Sequence, residues 1–155
     1  MANKTALAVG LFIILLLAAG YARSEVRIGL GHSFASSELV VGEIAYEYSD
    51  WEISATKMEA GKTRNGYQDT MEIYSVSYLT RPFNYAPANP FLRLGVSQNT
   101  GSPLVGRTNF RLGLGVDFSD VWRLEYAHHS SAGIHNPNTG IDYVVMSYTM
   151  PAPWE

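Results

Sequence analysis

From Phe110 to Phe118 the chain alternates without a slip. Phe110, Leu112, Leu114, Val116 and Phe118 fall on one side, and Arg111, Gly113, Gly115 and Asp117 on the other. Successive side chains of a β-strand point to opposite faces, so such a run has one apolar face and one that carries charge or no side chain. The same period of two recurs along the chain and predicts eight strands, at 26–34, 39–48, 51–58, 68–79, 91–98, 110–118, 122–130 and 142–150. Within the fourth, the pattern is blurred from Met71 to Tyr74, which reads as a β-bulge. No long segment carries a helical period, and the fold class is all-β.

The polar rows carry Arg27, Glu43, Glu47, Glu52, Arg93, Arg111, Asp117, Arg123 and Glu125. A soluble barrel would turn these rows to water. A transmembrane barrel would turn its apolar rows to lipid and enclose the charges. Runs of this length match the roughly 9–11 residues that a tilted strand needs to cross a bilayer. Tyr46, Tyr48, Trp51, Trp122 and Tyr148 sit near strand ends, as interfacial aromatic girdles do. Eight is the smallest strand number of such barrels, and closure removes the unpaired edges that hydrocarbon penalises. The expectation is therefore an eight-stranded antiparallel transmembrane β-barrel with a plugged lumen, in which Glu125 pairs with Arg123. Ser49-Asp50 and Ser119-Asp120 are tight turns, whereas 59–67, 99–108 and 131–140 are long loops. Short turns face the periplasm and long loops the outside. The proline-rich link 80–90 breaks this rule, being long at the periplasmic end.

The compartment follows from the first residues. Lys4 precedes an uncharged apolar run, 6–19, and Gly20-Tyr21-Ala22 offers small residues at the cleavage positions. This pattern predicts a secretory signal peptide over 1–22, with Ala22-Arg23-Ser24 as a second cleavage choice. An uncleaved anchor helix is the competing reading, for which the run is short. One domain, 23–155, remains. The chain has no cysteine, so disulfides cannot hold it, and its formal net charge of −3 gives no electrostatic case for nucleic acid.

The last two runs form a hairpin. On the first, Trp122, Leu124, Tyr126, His128 and Ser130 share a face; on the second, Asp142, Val144, Met146, Tyr148 and Met150 do. Placing His128 opposite Asp142 pairs Tyr126 with Val144, Leu124 with Met146 and Trp122 with Tyr148. An apolar wall then ends in a hydroxyl, an imidazole and a carboxylate, on the lipid side at the outer leaflet. That leaflet is built of lipopolysaccharide, whose lipid A is the nearest ester-rich molecule. Ser130 would act as nucleophile, His128 as its base and Asp142 as the acid that orients the imidazole. Ser131 and Gly133, in the turn that follows, would meet the oxyanion. Leu124, Tyr126, Val144 and Met146 would touch the acyl chain. The chemistry calls for no metal and no organic cofactor. A small structural or adhesive barrel without chemistry, and a phospholipase-like hydrolase, are the competing functions.

Other polar residues have simpler readings. His129 has the opposite phase and faces the lumen. His32 lies on an outward row and His135 in a loop. Asn136-Pro137-Asn138-Thr139-Gly140 is a turn cluster first and a headgroup contact second. Lys57, Lys62 and Arg64, near an outer loop, could meet lipid A phosphates or simply be solvated.

The hairpin resembles the PagL-type lipid A 3-O-deacylases, eight-stranded barrels of the outer membrane. The likeness rests on His128-His129-Ser130, Ala132-Gly133, Pro137-Asn138-Thr139-Gly140 and Asp142, and is specific over about 125–148. It implies removal of the acyl chain ester-linked at position 3 of lipid A, by Ser130 with His128 and Asp142. Lipopolysaccharide in the outer membrane is the implied partner; a monomer and a homodimer fit equally. The chain departs from the family with Ser131 in place of Asn and Asp142 in place of Glu. It also ends in Pro153-Trp154-Glu155 and not in a terminal aromatic.

Overall fold

The computed structural model describes residues 24–82, 88–134, 136 and 138–151. The expected signal peptide, His135 and the chain's last residues lie outside that set. Ten strands follow in order: β1 (Ser24–Phe34), β2 (Val40–Tyr48), β3 (Trp51–Met58), β4 (Gly61–Thr63), β5 (Gly66–Gln68), β6 (Met71–Thr80), β7 (Asn89–Asn99), β8 (Thr108–Asp117), β9 (Trp122–Ser130) and β10 (Ile141–Pro151). Eight of them close into a barrel in the order β1-β10-β9-β8-β7-β6-β3-β2, while β4 and β5 form a separate two-stranded hairpin. All pairs are antiparallel, and β1 completes the ring by bonding both β2 and β10.

The fold matches the eight-strand expectation and corrects it in three places. The long loop after β3 contains the β4–β5 hairpin. The expected bulge is absent: β3 and β6 pair without interruption from Met58↔Met71 to Trp51↔Tyr78. Met71, Ile73, Ser75, Ser77 and Leu79 alternate as buried positions along β6. The pattern looked blurred because Met71 and Ile73 point inward, while Glu72 and Tyr74 point out. The third correction concerns Glu125. Arg123 bonds Glu47 at 2.9 Å and Asp117, whereas Glu125 meets Arg93 at 3.0 Å and Arg111 at 3.2 Å. An arginine arm meets acids on adjacent and facing strands more readily than it folds back along its own.

The lumen has two layers. Toward the short turns it is ionic. Glu52 is shared by Arg27 and Arg93, Arg27 also reaches Glu47 at 2.7 Å, and Arg111 meets Glu43 at 3.0 Å. These guanidinium and carboxylate groups are buried. Each arginine has more than one acidic partner, which offsets the large cost of taking the charges out of water. Gly113 makes room for them: a Cβ there would lie 2.5 Å from Glu125 Oε1 and 3.0 Å from Arg93 Cβ. Toward the long loops an apolar cluster fills the lumen, beside buried polar groups such as Ser33, Ser97, Asn99 and His129. Val41, Met58, Met71, Ile73, Ile141, Tyr143 and Val145 pack with Leu39, Leu104 and Val105 from the loops above. Among the described residues, side chains thus pack the middle and upper lumen, and no channel runs through them.

The exterior is inverted relative to a soluble protein. Leu30, Val76, Leu94, Val96, Leu114 and Met146 are exposed, with further leucine, isoleucine and valine between them. At the short-turn end Trp51 meets Tyr78 edge-on at 5.4 Å and Trp122 meets Tyr148 at 5.2 Å, as a girdle at a membrane–water interface would. Tyr46, also expected there, is buried instead. An apolar coat around a charged interior fits lipid and not water, so the barrel spans a membrane.

Replacing Glu52 with Leu removes the carboxylate common to Arg27 and Arg93. We expect a loss of about 3–5 kcal/mol, the usual cost of breaking a buried ion pair from one side. Urea unfolding in lipid vesicles measures it, and Glu52→Gln should lose less because an acceptor remains.

Candidate active site

The β9–β10 register is the one the hairpin's alternation implies: His128↔Asp142, Tyr126↔Val144, Leu124↔Met146 and Trp122↔Tyr148. His128 and Asp142 therefore stand side by side on the outer wall, near the long-loop end. His128 Nδ1 lies 2.8 Å from Asp142 Oδ1. Direct opposition across the pair lets the short aspartate reach the ring without a longer side chain. The tyrosine hydroxyl of Tyr126 donates to the same carboxylate oxygen at 2.6 Å. Gly140, at φ +78, closes one side of the ring: a Cβ there would sit 2.7 Å from His128 Cε1.

Ser130 ends β9 two residues beyond His128, on the same face. Its hydroxyl donates to Asn138 Oδ1 at 3.3 Å, and Asn138 Nδ2 lies 3.2 Å from Ser130 Oγ. The backbone N–H of Ala132 also donates to Ser130 Oγ, at 3.2 Å. Among the described residues, no hydrogen bond joins His128 to Ser130. Two residues along a strand span about 7 Å, so the imidazole must lean along β9 to reach the hydroxyl, and such bonds commonly tighten only when substrate is bound.

The turn after Ser130 is strained. Ala132 and Gly133 both have positive φ, 50° and 79°, and Ile134 N–H closes the turn on Ser131 C=O at 2.9 Å. Alanine in that region costs about 1–2 kcal/mol. Strain of this kind persists where the surroundings enforce it. Here the enforcement comes from Asn138, whose Oδ1 accepts both the N–H of Ser131, at 2.9 Å, and its hydroxyl, at 2.8 Å.

That arrangement corrects the role expected of Ser131. Its side chain is buried and both of its donors are spent on Asn138, so neither can meet an oxyanion. Ser131 instead fixes the amide of Asn138, with Nδ2 turned to Ser130. Gly133 stands differently: its N–H has no hydrogen-bond partner among the described residues. Asn138 is the side chain beside Ser130 that the sequence reading missed. Its signal was the Asn-Thr-Gly run closing the same loop, which turn chemistry alone explained.

Thr139 anchors this loop from three sides. Its N–H donates to Leu104 C=O at 2.9 Å, its hydroxyl accepts from Asn65 Nδ2 at 3.2 Å, and its C=O accepts from Ser36 Oγ at 3.3 Å. The outer loops thus converge on the residue between Asn138 and Gly140.

Of the acyl-contact residues, Leu124, Val144 and Met146 are exposed on the outer wall. Tyr126 shares that wall, but its hydroxyl belongs to Asp142. Strand β8 extends the apolar surface, with Phe110 beside Ser130, Leu112 beside His128 and Leu114 beside Tyr126. His129 faces the lumen, where Nδ1 lies 2.9 Å from Ser97 Oγ and Nε2 lies 3.2 Å from the Tyr143 hydroxyl. His32, Lys57, Lys62 and Arg64 are exposed. Among the described residues, no group of three or more His, Asp or Glu side chains could hold a metal ion.

Fold and site together define a small outer-membrane barrel that carries a serine, a histidine and an acid on its lipid-facing wall. The family described as lipid A 3-O-deacylase (PagL) matches residues 27–151, and the chain belongs to it. Among solved structures, the crystal structure of the outer membrane enzyme PagL is similar at a TM-score of 0.59 and 20% identity, covering 83% of this chain and 99% of that one. The Yersinia pestis outer membrane protein Ail, solved in a phospholipid bilayer nanodisc, gives a TM-score of 0.44 at 16% identity, with the same coverages. No curated protein matches the chain.

Gly140→Ala should push the imidazole off Asp142. In the parent the Nδ1–H proton of His128 should resonate far downfield, as expected for a short bond to a carboxylate. That signal should be lost in the variant, read by proton NMR of the refolded barrel in micelles.

Proposed function

We propose that this barrel hydrolyses the ester that links the acyl chain at position 3 of lipid A, working at the outer leaflet. The observation that carries the reading is the His128–Asp142 pair, 2.8 Å apart on the lipid-facing wall, with Ser130 on the same row. Belonging to the lipid A 3-O-deacylase family supports the substrate. The rule that long loops lie outside supports a trio level with the headgroup region of lipopolysaccharide.

A lipid A molecule lies sideways against the barrel, its acyl chain along Leu124, Val144 and Met146 and the apolar side of β8. His128 Nε2, which no described residue bonds, takes the Ser130 proton as Oγ attacks the ester carbonyl. Asp142 keeps the other ring nitrogen protonated and stabilises the imidazolium that forms. Asn138 Nδ2 and the Gly133 N–H supply donors where charge develops on the carbonyl oxygen. His128 then returns its proton to the sugar oxygen, which leaves as an alcohol. Water, activated by the same imidazole, attacks the acyl-serine and releases the fatty acid.

Mass spectrometry of lipid A from cells producing the protein tests this. The parent should remove one acyl chain, and Ser130→Ala should abolish the mass change. Absence of any loss with the parent, or the same loss with the variant, would end the reading. Offering phospholipid and lipid A separately to the purified barrel identifies the substrate class. Asn138→Ala should lower kcat about 10²–10³-fold, the usual effect of deleting one oxyanion donor.

A further inference from the structure

The deacylase reading uses one donor to hold Asp142, yet the structure gives that carboxylate two. Tyr126 stands two residues before His128 on the same outward row of β9, opposite Val144. Its hydroxyl donates to Asp142 Oδ1 at 2.6 Å, the oxygen that also meets His128 Nδ1 at 2.8 Å. The ring is backed by Phe34, whose centroid lies 5.9 Å away at a 38° tilt and which is itself the β1 register partner of Asp142. A carboxylate on a lipid-facing wall is costly unless donors surround it. Here Phe34 fixes the tyrosine ring, the ring aims the phenol, and the phenol holds the carboxylate under the imidazole.

Resting on the deacylase reading, we propose that Tyr126 is a positioning residue for the reaction, acting through Asp142 to set both the placement and the basicity of His128. The direction follows from charge. The phenol hydrogen takes part of the negative charge of Asp142, which leaves less to stabilise a protonated His128. Removing the phenol strengthens the hold of the carboxylate on the imidazolium, so His128 stays protonated to higher pH. Among the described residues, the titratable groups around the pair are His128, Asp142, Tyr126 itself and His32 of β1, opposite Val144, with Tyr148 at the far end of the same β10 row. From β8 the neighbours are Phe110, Leu112 and Leu114, which carry no charge.

The test is Tyr126→Phe, which keeps the ring on Phe34 and the apolar wall but deletes the donor. With the full refolded barrel and lipid A in mixed micelles, kcat should fall about tenfold, the effect of one hydrogen bond to a charged group, while KM stays near the parent value. The acid limb of kcat/KM should move to higher pH, by about half a unit or more, because that limb reports the base in the free enzyme. The titration of His128 followed by NMR should move the same way. An unmoved His128 titration, or a loss that is uniform across pH, would overturn the proposal and leave Tyr126 a lipid contact. If the folded parent releases no fatty acid from lipid A while the NMR titration still shifts, the deacylase reading fails and the Tyr126–Asp142–His128 coupling stands.

Discussion

Hydrocarbon offers no hydrogen bonds, and that single lack orders the whole molecule. Each strand amide surrounded by lipid must find its partner within the sheet, so the sheet must close. Closure through β1, bonded to both β2 and β10, removes every edge and fixes the register of all eight strands at once. Register then decides which side chains see lipid and which see the lumen, because a slip of one residue would turn each row inside out. The lipid-facing site is a product of that choice. His128 and Asp142 face outward together because β9 and β10 pair them directly, and His129 is turned inward by the same rule.

The lumen resolves the opposite difficulty. Eight strands leave space for side chains but not for free water along the axis. Arginines and glutamates fill the lower half as a connected network, and an apolar plug fills the upper half under the loops. The plug lies just inside the wall that carries the site. Tyr143 and Ile141, inward neighbours of Asp142 on β10, belong to the plug, and His129 stacks on Tyr143 at 5.7 Å. The strand segment that presents the histidine and the acid to lipid is therefore packed tightly from behind. A rigid backing of this kind is what a site built from strand residues requires.

Much of this was legible in the sequence, because a membrane barrel obeys a short-range rule. Alternation found the strands, gave the sidedness of most rows and paired His128 with Asp142, since each of these depends on neighbours along one strand or across one hairpin. What escaped depends on closure or on loops. Met71 and Ile73 blurred β6 because the apolar plug places hydrophobic residues on the inward side, a layer visible only when all strands face a common axis. Arg123 and Glu125 looked like partners because they are close in sequence, but Arg123 instead meets Asp117, its register partner on β8, and Glu47 of β2. Ser131 was given the role of its neighbour in the loop: spacing cannot say that its donors turn inward to Asn138, or that Asn138 turns back to Ser130.

The filled lumen has a further consequence. Among the described residues no path leads through the barrel to the His128–Asp142 wall, so a lipid bound there would arrive within the plane of the leaflet. Encounter is then a two-dimensional search, governed by the fluidity and crowding of surrounding lipids rather than by concentration in the bulk medium. For the proposed reaction, the stiffness of the membrane around this protein would become part of its kinetics.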